Sequence, residues 1–356
     1  MKHALKGWLR EAWSRALYHL GLWRLVDRLM PRRMLVLAGH CVSEDAVNGG
    51  LPADMKIEGA RLERILGLLG QRFELVTVGD GLGALREGRG RRSMVALSMD
   101  DGYADNHSAL LPLLERVQGR ATVFLESRVM TDRRVNWSHK WFWLLDRVGA
   151  KEASGLLVAE LGDLDLGLRL GELLEAAPED LAYQAKRVLK YEARPEERDP
   201  ALDAIFAAQG GDEAALVERI YMKPDDARAL QASGRVELGG HTVHHHVLST
   251  LSAEEQRAEV EGGRTALEEC FGPEVGVTFA YPFGRRWDID AGAVEAVRGA
   301  GFHGAVTTHT GVVGRETDPM RLPRWMIDDA TPVHHLVCEA CGGFELLRRV
   351  GLNLSE

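Results

Sequence analysis

The sequence predicts an α/β fold, a distorted (β/α) barrel of the kind built from successive strand–helix units, carrying a helical insertion. Two observations lead there. Apolar runs of buried-strand character, such as Met34–Gly39, Met94–Leu97 and Ala121–Leu125, alternate with helical stretches as parallel βα units do. The residues able to carry chemistry, Asp100, Asp101, His241 and Tyr281, fall at the ends of such runs, where a barrel of six or seven units gathers its functional groups.

The elements follow in order. Residues 4–30 read as one helix, with Leu5, Leu9, Ala12, Trp13, Ala16, Leu17 and Leu20 at helical spacing and Pro31 closing the segment. The first strand, Met34–Gly39, ends at His40. A helix over Ala60–Leu69, a strand over Phe73–Val78, the Met94–Asp101 strand, a helix near Leu110–Leu114 and the Ala121–Leu125 strand come next. From about 128 to 224 the alternation stops, and helices are predicted over Leu156–Leu174, Leu181–Tyr191 and Ala201–Ala208. A stretch of roughly a hundred residues is too long for a plain loop and is read as an inserted helical subdomain or lid. The aromatic group Trp137, Trp141, Phe142 and Trp143 anchors its start by packing. Alternation resumes with helix Asp225–Ala232, strand Val236–Gly240, helix Ala253–Cys270, strand Val277–Tyr281, helix Ala291–Gly299 and strand Phe302–Thr307. Ser252 and Glu255 form a capping box at the start of the 253–270 helix. A C-terminal helix is expected near Val333–Val350. The domain layout is thus an arm over 1–33, a barrel over 34–326 interrupted by 128–224, and a helical tail over 327–356.

Charge separates the arm from the body. The chain has 356 residues with 44 Lys/Arg and 53 Asp/Glu, a net charge of −9 that argues against a general nucleic-acid binder. Residues 1–33 hold eight Lys/Arg against Glu11 and Asp27, a net +6, so the remainder carries −15. Lys2, Lys6 and Arg10, then Arg24, Arg28 and Arg32, recur at four-residue steps beside Trp8, Trp13 and Trp23. That is the profile of a helix lying in a membrane interface, or of an arm packed on the domain. No stretch has the apolar length of a membrane span, and no export signal is recognised, so a cytoplasmic setting is expected, peripheral to the inner face of the membrane. Cys41, Cys270, Cys338 and Cys341 are too few and scattered for a disulfide framework, and Cys338-Glu339-Ala340-Cys341 reads as structural.

Two remote clusters converge on one chemistry. Ser98-Met99-Asp100-Asp101-Gly102 puts adjacent carboxylates at a strand exit. Alone it would be a polar turn. His241-Thr242-Val243-His244-His245-His246 follows another strand, and two carboxylates with histidines at i and i+4 make an open metal site of oxygen and nitrogen ligands.

These motifs resemble those of the polysaccharide deacetylase (NodB-homology) family. Ser98–Gly102 is similar to its T-F-D-D-G motif, His241–His245 to H-[ST]-x-x-H, and Tyr281-Pro282-Phe283-Gly284 to Y-P-[YF]-G. The late L-x-H motif is not evident. Instead Leu37–His40 resembles the L-x-Y-H strand that opens permuted, exopolysaccharide-type (poly-N-acetylglucosamine) members, with Gly39 in place of tyrosine, and Leu322-Pro323-Arg324 resembles a late L-P-R. The arginine that precedes the third motif is absent, since Val277 and Thr278 stand there. The resemblance covers about 34–128 and 224–326.

The resemblance implies one divalent metal, zinc being the commonest, held by Asp101, His241 and His245. It implies Asp100 as general base and His40 as the acid that protonates the leaving amine. Tyr281, Phe283 and Arg324 are its oxyanion and substrate candidates, with Arg324 also able to hold Asp100 ionised. His244 and His246 are not expected to be ligands. The implied activity is removal of N-acetyl groups from amino sugars of a glycan or lipid-linked glycan in surface-polysaccharide synthesis. The alternatives are a deformylase or deacetylase of a small lipid-linked sugar or other amide, and a non-catalytic glycan-binding barrel.

Overall fold

The computed structural model describes residues 2–42, 50–90, 92–349 and 351–352. Its strands are β1 (Met34–Gly39), β2 (Cys41–Val42), β3 (Lys56–Ile57), β4 (Glu74–Val76), β5 (Met94–Met99), β6 (Ala121–Leu125), β7 (Val236–Gly240), β8 (Thr278–Ala280), β9 (Gly304–Val306) and β10 (Trp325–Met326). The main sheet runs β10-β1-β5-β6-β7-β8-β9 and its strands pair in parallel. One edge of β5 is shared, with β4 along its first half and β6 along its second. The segment 322–327 closes the curve. Leu322 donates to the Ala305 carbonyl and accepts from the Thr307 amide, both at 2.8 Å, and Ile327 donates to the Ala38 carbonyl at 2.8 Å. It therefore hydrogen-bonds to β9 at one end and β1 at the other.

Strand alternation decides what faces inward. Met34 and Val36 of β1, Met94 and Ala96 of β5, Phe124 of β6, Ala280 of β8 and Val306 of β9 share one small core inside the barrel. Their neighbours Leu35, Leu37, Val95, Leu97, Val123 and Leu125 belong to the large core between the sheet and the outer helices. The strands read as continuous apolar runs because both faces are buried.

Helices α1 (Lys2–His19) and α2 (Trp23–Leu29) precede the barrel. Helices α3 (Gly59–Gly70), α4 (Val78–Arg86) and α5 (Leu111–Arg116) accompany the first strands, α5 being preceded by a π-helical turn over Asn106–Leu110. From Ser127 to Ala232 the chain is helical: α6 (Ser127–Thr131), α7 (Trp137–Leu161), α8 (Asp165–Ala176), α9 (Leu181–Tyr191), α10 (Pro195–Ala208), α11 (Glu213–Ile220) and α12 (Pro224–Ala232). Helices α7 to α10 bury a core of their own around Trp141, Leu157, Leu170, Leu189 and Leu202. Helices α13 (Ala253–Phe271) and α14 (Ala291–Gly299) complete the barrel, and α15 (Val333–Ala340) and α16 (Gly343–Arg349) end the described chain. The Ser252–Glu255 capping box at α13 is present.

Three predicted helices are broken, each at a glycine with left-handed backbone. Gly21 (φ 69°) divides the segment expected over 4–30, Gly162 (φ 55°) the one over 156–174, and Gly342 (φ 81°) the C-terminal one. A left-handed residue cannot continue a right-handed helix, and glycine adopts that conformation without a Cβ clash. Of the arm's tryptophans, Trp13 and Trp23 pack on the body, Trp13 donating from Nε1 to the Gly343 carbonyl at 3.1 Å, while Trp8 is 65 % exposed. Cys338 and Cys341 are buried free thiols, and burial pushes the Cys341 thiol up to about 12.

Candidate active site

Three inward-facing rows run out at the same end of the barrel. On β1 the row Met34, Val36, Ala38 continues to His40. On β5 Met94, Ala96 and Ser98 lead to Asp100, and on β7 Glu237 and Gly239 lead to His241. Asp101 is the next residue along from Asp100, and alternation would turn it outward with Met99. A left-handed backbone at Asp101 (φ 72°) and Gly102 (φ 73°) breaks the alternation there. A Cβ on Gly102 would lie 2.7 Å from Leu125 Cδ2, so this turn requires glycine.

Asp101 Oδ1 is buried 3.3 Å from His241 Nε2 and 3.3 Å from His245 Nε2. His241 Nδ1 is 2.7 Å from the Ala280 carbonyl, which can only accept, so Nδ1 carries a hydrogen and Nε2 is the ring atom turned towards the carboxylate. With Nε2 unprotonated, as a metal ligand must be, it and the carboxylate are two acceptors that repel unless a cation lies among them. Donor set, burial and tautomer thus all fit a divalent ion on Asp101, His241 and His245.

Asp100 is locked from behind. Arg324, fully buried, donates from Nη1 to Oδ1 at 2.7 Å and from Nη2 to Oδ2 at 2.9 Å, with Nε on the Thr307 carbonyl at 2.8 Å. Burial pushes the Asp100 carboxyl up, but the Arg324 charge, helped by His241, prevails and holds it below the usual carboxylate range. A buried carboxylate is thereby kept ionised beside the ligand triangle.

The turn carrying the histidines is strained and braced. Thr242 (φ 66°), His245 (φ 58°) and Phe283 (φ 59°) join Asp101 among seven described non-glycine residues with positive φ, so more than half of such residues lie at this site. Each costs on the order of 1–3 kcal/mol and persists only where its surroundings impose it. Here Thr242 Oγ1 accepts from the His245 amide at 3.0 Å, and Glu259 of α13 accepts from the Val243 and His244 amides at 3.2 and 2.9 Å. His244 and His246 turn away from Asp101, to Glu259 and Asp199 respectively.

A further layer comes from the insert. Tyr103 hydroxyl lies 3.0 Å from Asp101 Oδ2 and 2.5 Å from His139 Nε2, and Tyr221 hydroxyl lies 2.6 Å from His139 Nδ1. His139 Nδ1 also lies 2.8 Å from the Asn136 side-chain oxygen, so both ring nitrogens are held by neighbours and the Tyr103 hydroxyl links the imidazole to Asp101. Burial lowers His139 to about 3, so the ring is neutral. Asn136, the N-cap of α7, accepts the His139 amide at 3.1 Å and donates to Glu126 at 2.9 Å. No sequence motif marks His139; its one local signal is the Asn136 cap ahead of the aromatic group.

Asp100 and the Asp101–His241–His245 triangle floor a cavity of about 540 Å³. Its lining includes His40, Asp100, Asp101, His241, His245 and Phe283 of the predicted set. His40 Nδ1 is buried without a hydrogen-bond partner among the described residues. Phe283 stacks edge-on to His245 with ring centres 4.9 Å apart. Arg324 lies behind Asp100 and does not line the cavity. Tyr281 lies outside it too: it follows Ala280 on β8, alternation sends its side chain outward beside Phe279, and its hydroxyl donates to the Met320 carbonyl at 3.1 Å. The opposite wall comes from the insert, chiefly Trp141 and Phe142 of α7 and the α9 face.

Residues 188–305 match the family model described as polysaccharide deacetylase. That match contains the histidine and Tyr281–Gly284 motifs, and the Asp100–Asp101 segment lies ahead of it, across the insert. No curated protein sequence matches the chain. Among solved structures, the Streptococcus pyogenes deacetylase PplD, in complex with acetate, is similar with a TM-score of 0.54 at 12 % identity, covering 87 % of this chain and 98 % of its own. IcaB from Ammonifex degensii gives 0.52 at 15 % identity, covering 88 % and 98 %. The BpsB deacetylase domain from Bordetella bronchiseptica gives 0.50 at 13 %, covering 83 % and 96 %. At these identities the structures speak for the fold. The motifs and the family match over residues 188–305 point to the polysaccharide deacetylases, a family of hydrolytic carbohydrate deacetylases, and the solved structures share the fold.

Proposed function

We propose that this chain is a metal-dependent carbohydrate N-deacetylase acting on amino sugars of a glycan or lipid-linked glycan in surface-polysaccharide synthesis. The observation that carries this reading is the Asp101–His241–His245 triangle set beside an arginine-locked Asp100 on one cavity floor. A divalent ion held by those three residues, zinc being the family's commonest, supplies Lewis acidity towards water and the amide carbonyl.

The chain's own groups do the rest. Asp100, kept ionised by Arg324, takes the proton of the attacking water at a carboxylate oxygen. His40, on the neighbouring β1 row, gives a proton to the amine as it leaves. The Phe283 turn, at the rim beside His245, orients the acylated sugar, and Trp141 and Phe142 offer apolar surface that excludes water.

The setting that fits this reading is the cytoplasmic face of a membrane. Its support is the arm, where Trp8, Leu20, Leu25 and Leu29 are 65, 70, 55 and 74 % exposed among exposed Arg24 and Arg28.

Acetate release from N-acetylglucosamine oligomers tests the activity. The wild type is expected to release acetate, and Asp100→Asn to retain bound metal while losing at least about a hundredfold in kcat. Full activity in Asp100→Asn would overturn the assignment of the base.

A further inference from the structure

Helix α9 carries Tyr183, Lys186, Arg187 and Lys190 on the cavity wall. Their spacing, i, i+3, i+4 and i+7, is that of one helical face, so a basic stripe is presented to the same space as the ligand triangle. Arg285, just after the Phe283 turn, adds a further cation to the lining.

The cations differ in how they are balanced. Lys190 Nζ is 3.2 Å from the buried Asp288 carboxylate, which also accepts from Tyr191 hydroxyl at 2.8 Å, so that charge is already paired. Lys186, Arg187 and Arg285 form no ion pair among the described residues. Lys186 instead points its ammonium at rings, 4.1 Å from the Phe142 centre and 5.9 Å from the Phe283 centre. Burial, and then the charge of Lys190, lower it to about 8. Asp54 and Asp328 also line the cavity, and neither comes within ion-pair distance of Lys186. Holding an ammonium half-buried without a counterion is unfavourable, and a bound anion removes that cost.

The position of the stripe relative to the chemistry is set by Phe283. Its ring centre is 4.9 Å from that of His245 on one side and 3.8 Å from Lys190 Nζ on another. The basic stripe and the ligand triangle are therefore separated by a single aromatic side chain, the scale of one pyranose ring.

We propose that the α9 stripe, with Arg285, binds a phosphoryl group carried by the same sugar that presents its N-acyl group to Asp100. The preferred substrate is then a sugar phosphate ester, such as a diphosphate-linked acylamino sugar, rather than an internal residue of a neutral polymer. One lysine and two arginines without ion-pair partners among the described residues, lining the same cavity, match phosphate, which accepts from a planar guanidinium through two oxygens at once. This rests on the deacetylase reading for the sugar's orientation, while the binding of the anion does not require turnover.

The test compares affinities of the full chain for N-acetylglucosamine 1-phosphate and for methyl N-acetylglucosaminide, by calorimetry at physiological salt. The phosphate is expected to bind at least about tenfold tighter. That preference should fall towards one in Lys186→Gln/Arg187→Gln, folding checked by thermal melting, and partly return in Lys186→Arg/Arg187→Gln. Equal affinities in the wild type, or a preference untouched by the double variant as a phosphate on the metal ion alone would give, overturns the proposal. Acetate release measured on both sugars separates the two readings. A phosphate preference without acetate release keeps the anion site and retires deacetylation; acetate release at equal kcat/KM and equal affinity does the reverse. A uridine-diphosphate sugar and a short prenyl-diphosphate sugar, run in parallel, assign the source of the phosphate, and binding of either with the stripe-dependent preference supports the site.

Discussion

Asp100 and Arg324 stand 224 positions apart in the chain and meet through two hydrogen bonds with almost no solvent on either side. Removing one member of such a pair strands the other. Arg324→Met is expected to destabilise the fold by about 3–5 kcal/mol, the cost of an uncompensated buried charge. It also has a pH signature. Burial alone raises the Asp100 carboxyl and Arg324 is the chief opposing charge, so its loss raises that pKa. The base must be ionised, and the acid limb of the kcat/KM profile should move to higher pH. An unmoved acid limb in a folded Arg324→Met would mean that another group sets it. Residues of this kind were legible as types: Asp100, Asp101, His241 and His245 stand in spaced motifs, and Arg324 in Leu322-Pro323-Arg324. Strand parity would also have placed Tyr281 correctly, since it shares the outward side of β8 with Phe279. The left-handed turns at Asp101 and His245 were not legible, because they are imposed by neighbours such as Thr242 and Glu259 rather than by a local glycine alone.

Elements divide the labour between floor and wall. The β1, β5 and β7 ends supply the floor; the strands themselves were legible in the sequence, and their order in the sheet is given by the structure. The wall comes from the insert, where α9 was foreseen but the first half of α7, which carries Trp141 and Phe142, and the inward face of both helices were not. Lys186 and Lys190 look like ordinary solvated charges until α9 is seen packed against α7, and His139 becomes a partner of Tyr103 only through the Asn136 cap. Helix α13 has a different task, because its Glu259 holds the amides of the histidine turn. Glu259→Ala is expected to weaken metal affinity about 10- to 100-fold, as loss of a ligand-orienting group does, with the fold retained. Unchanged affinity in a competition titration with a chelator would show that the turn is held without it.

Across the whole molecule, charge and apolar surface are placed unevenly. The arm carries a net +6 and the rest of the chain −15, and the arm's exposed leucines lie on α1, α2 and the turn between them. Glu11 also ties the arm to the tail, accepting from His334 and His335 at 3.0 and 2.9 Å. Such an arm is expected to bind anionic liposomes in low salt, and Leu25→Glu/Leu29→Glu to abolish that binding while the protein stays folded. Wild-type protein that ignores such liposomes would make the arm a packing element only. All of this surrounds one central claim, that Asp101, His241 and His245 are the ligands of a divalent ion. Its most direct measurement is the ion content of the purified chain by elemental analysis, wild type beside His245→Ala. About one divalent ion per chain, lost in the variant together with acetate release, is the result expected; a wild type that neither retains nor takes up an ion, or a His245→Ala that keeps it, would contradict the account.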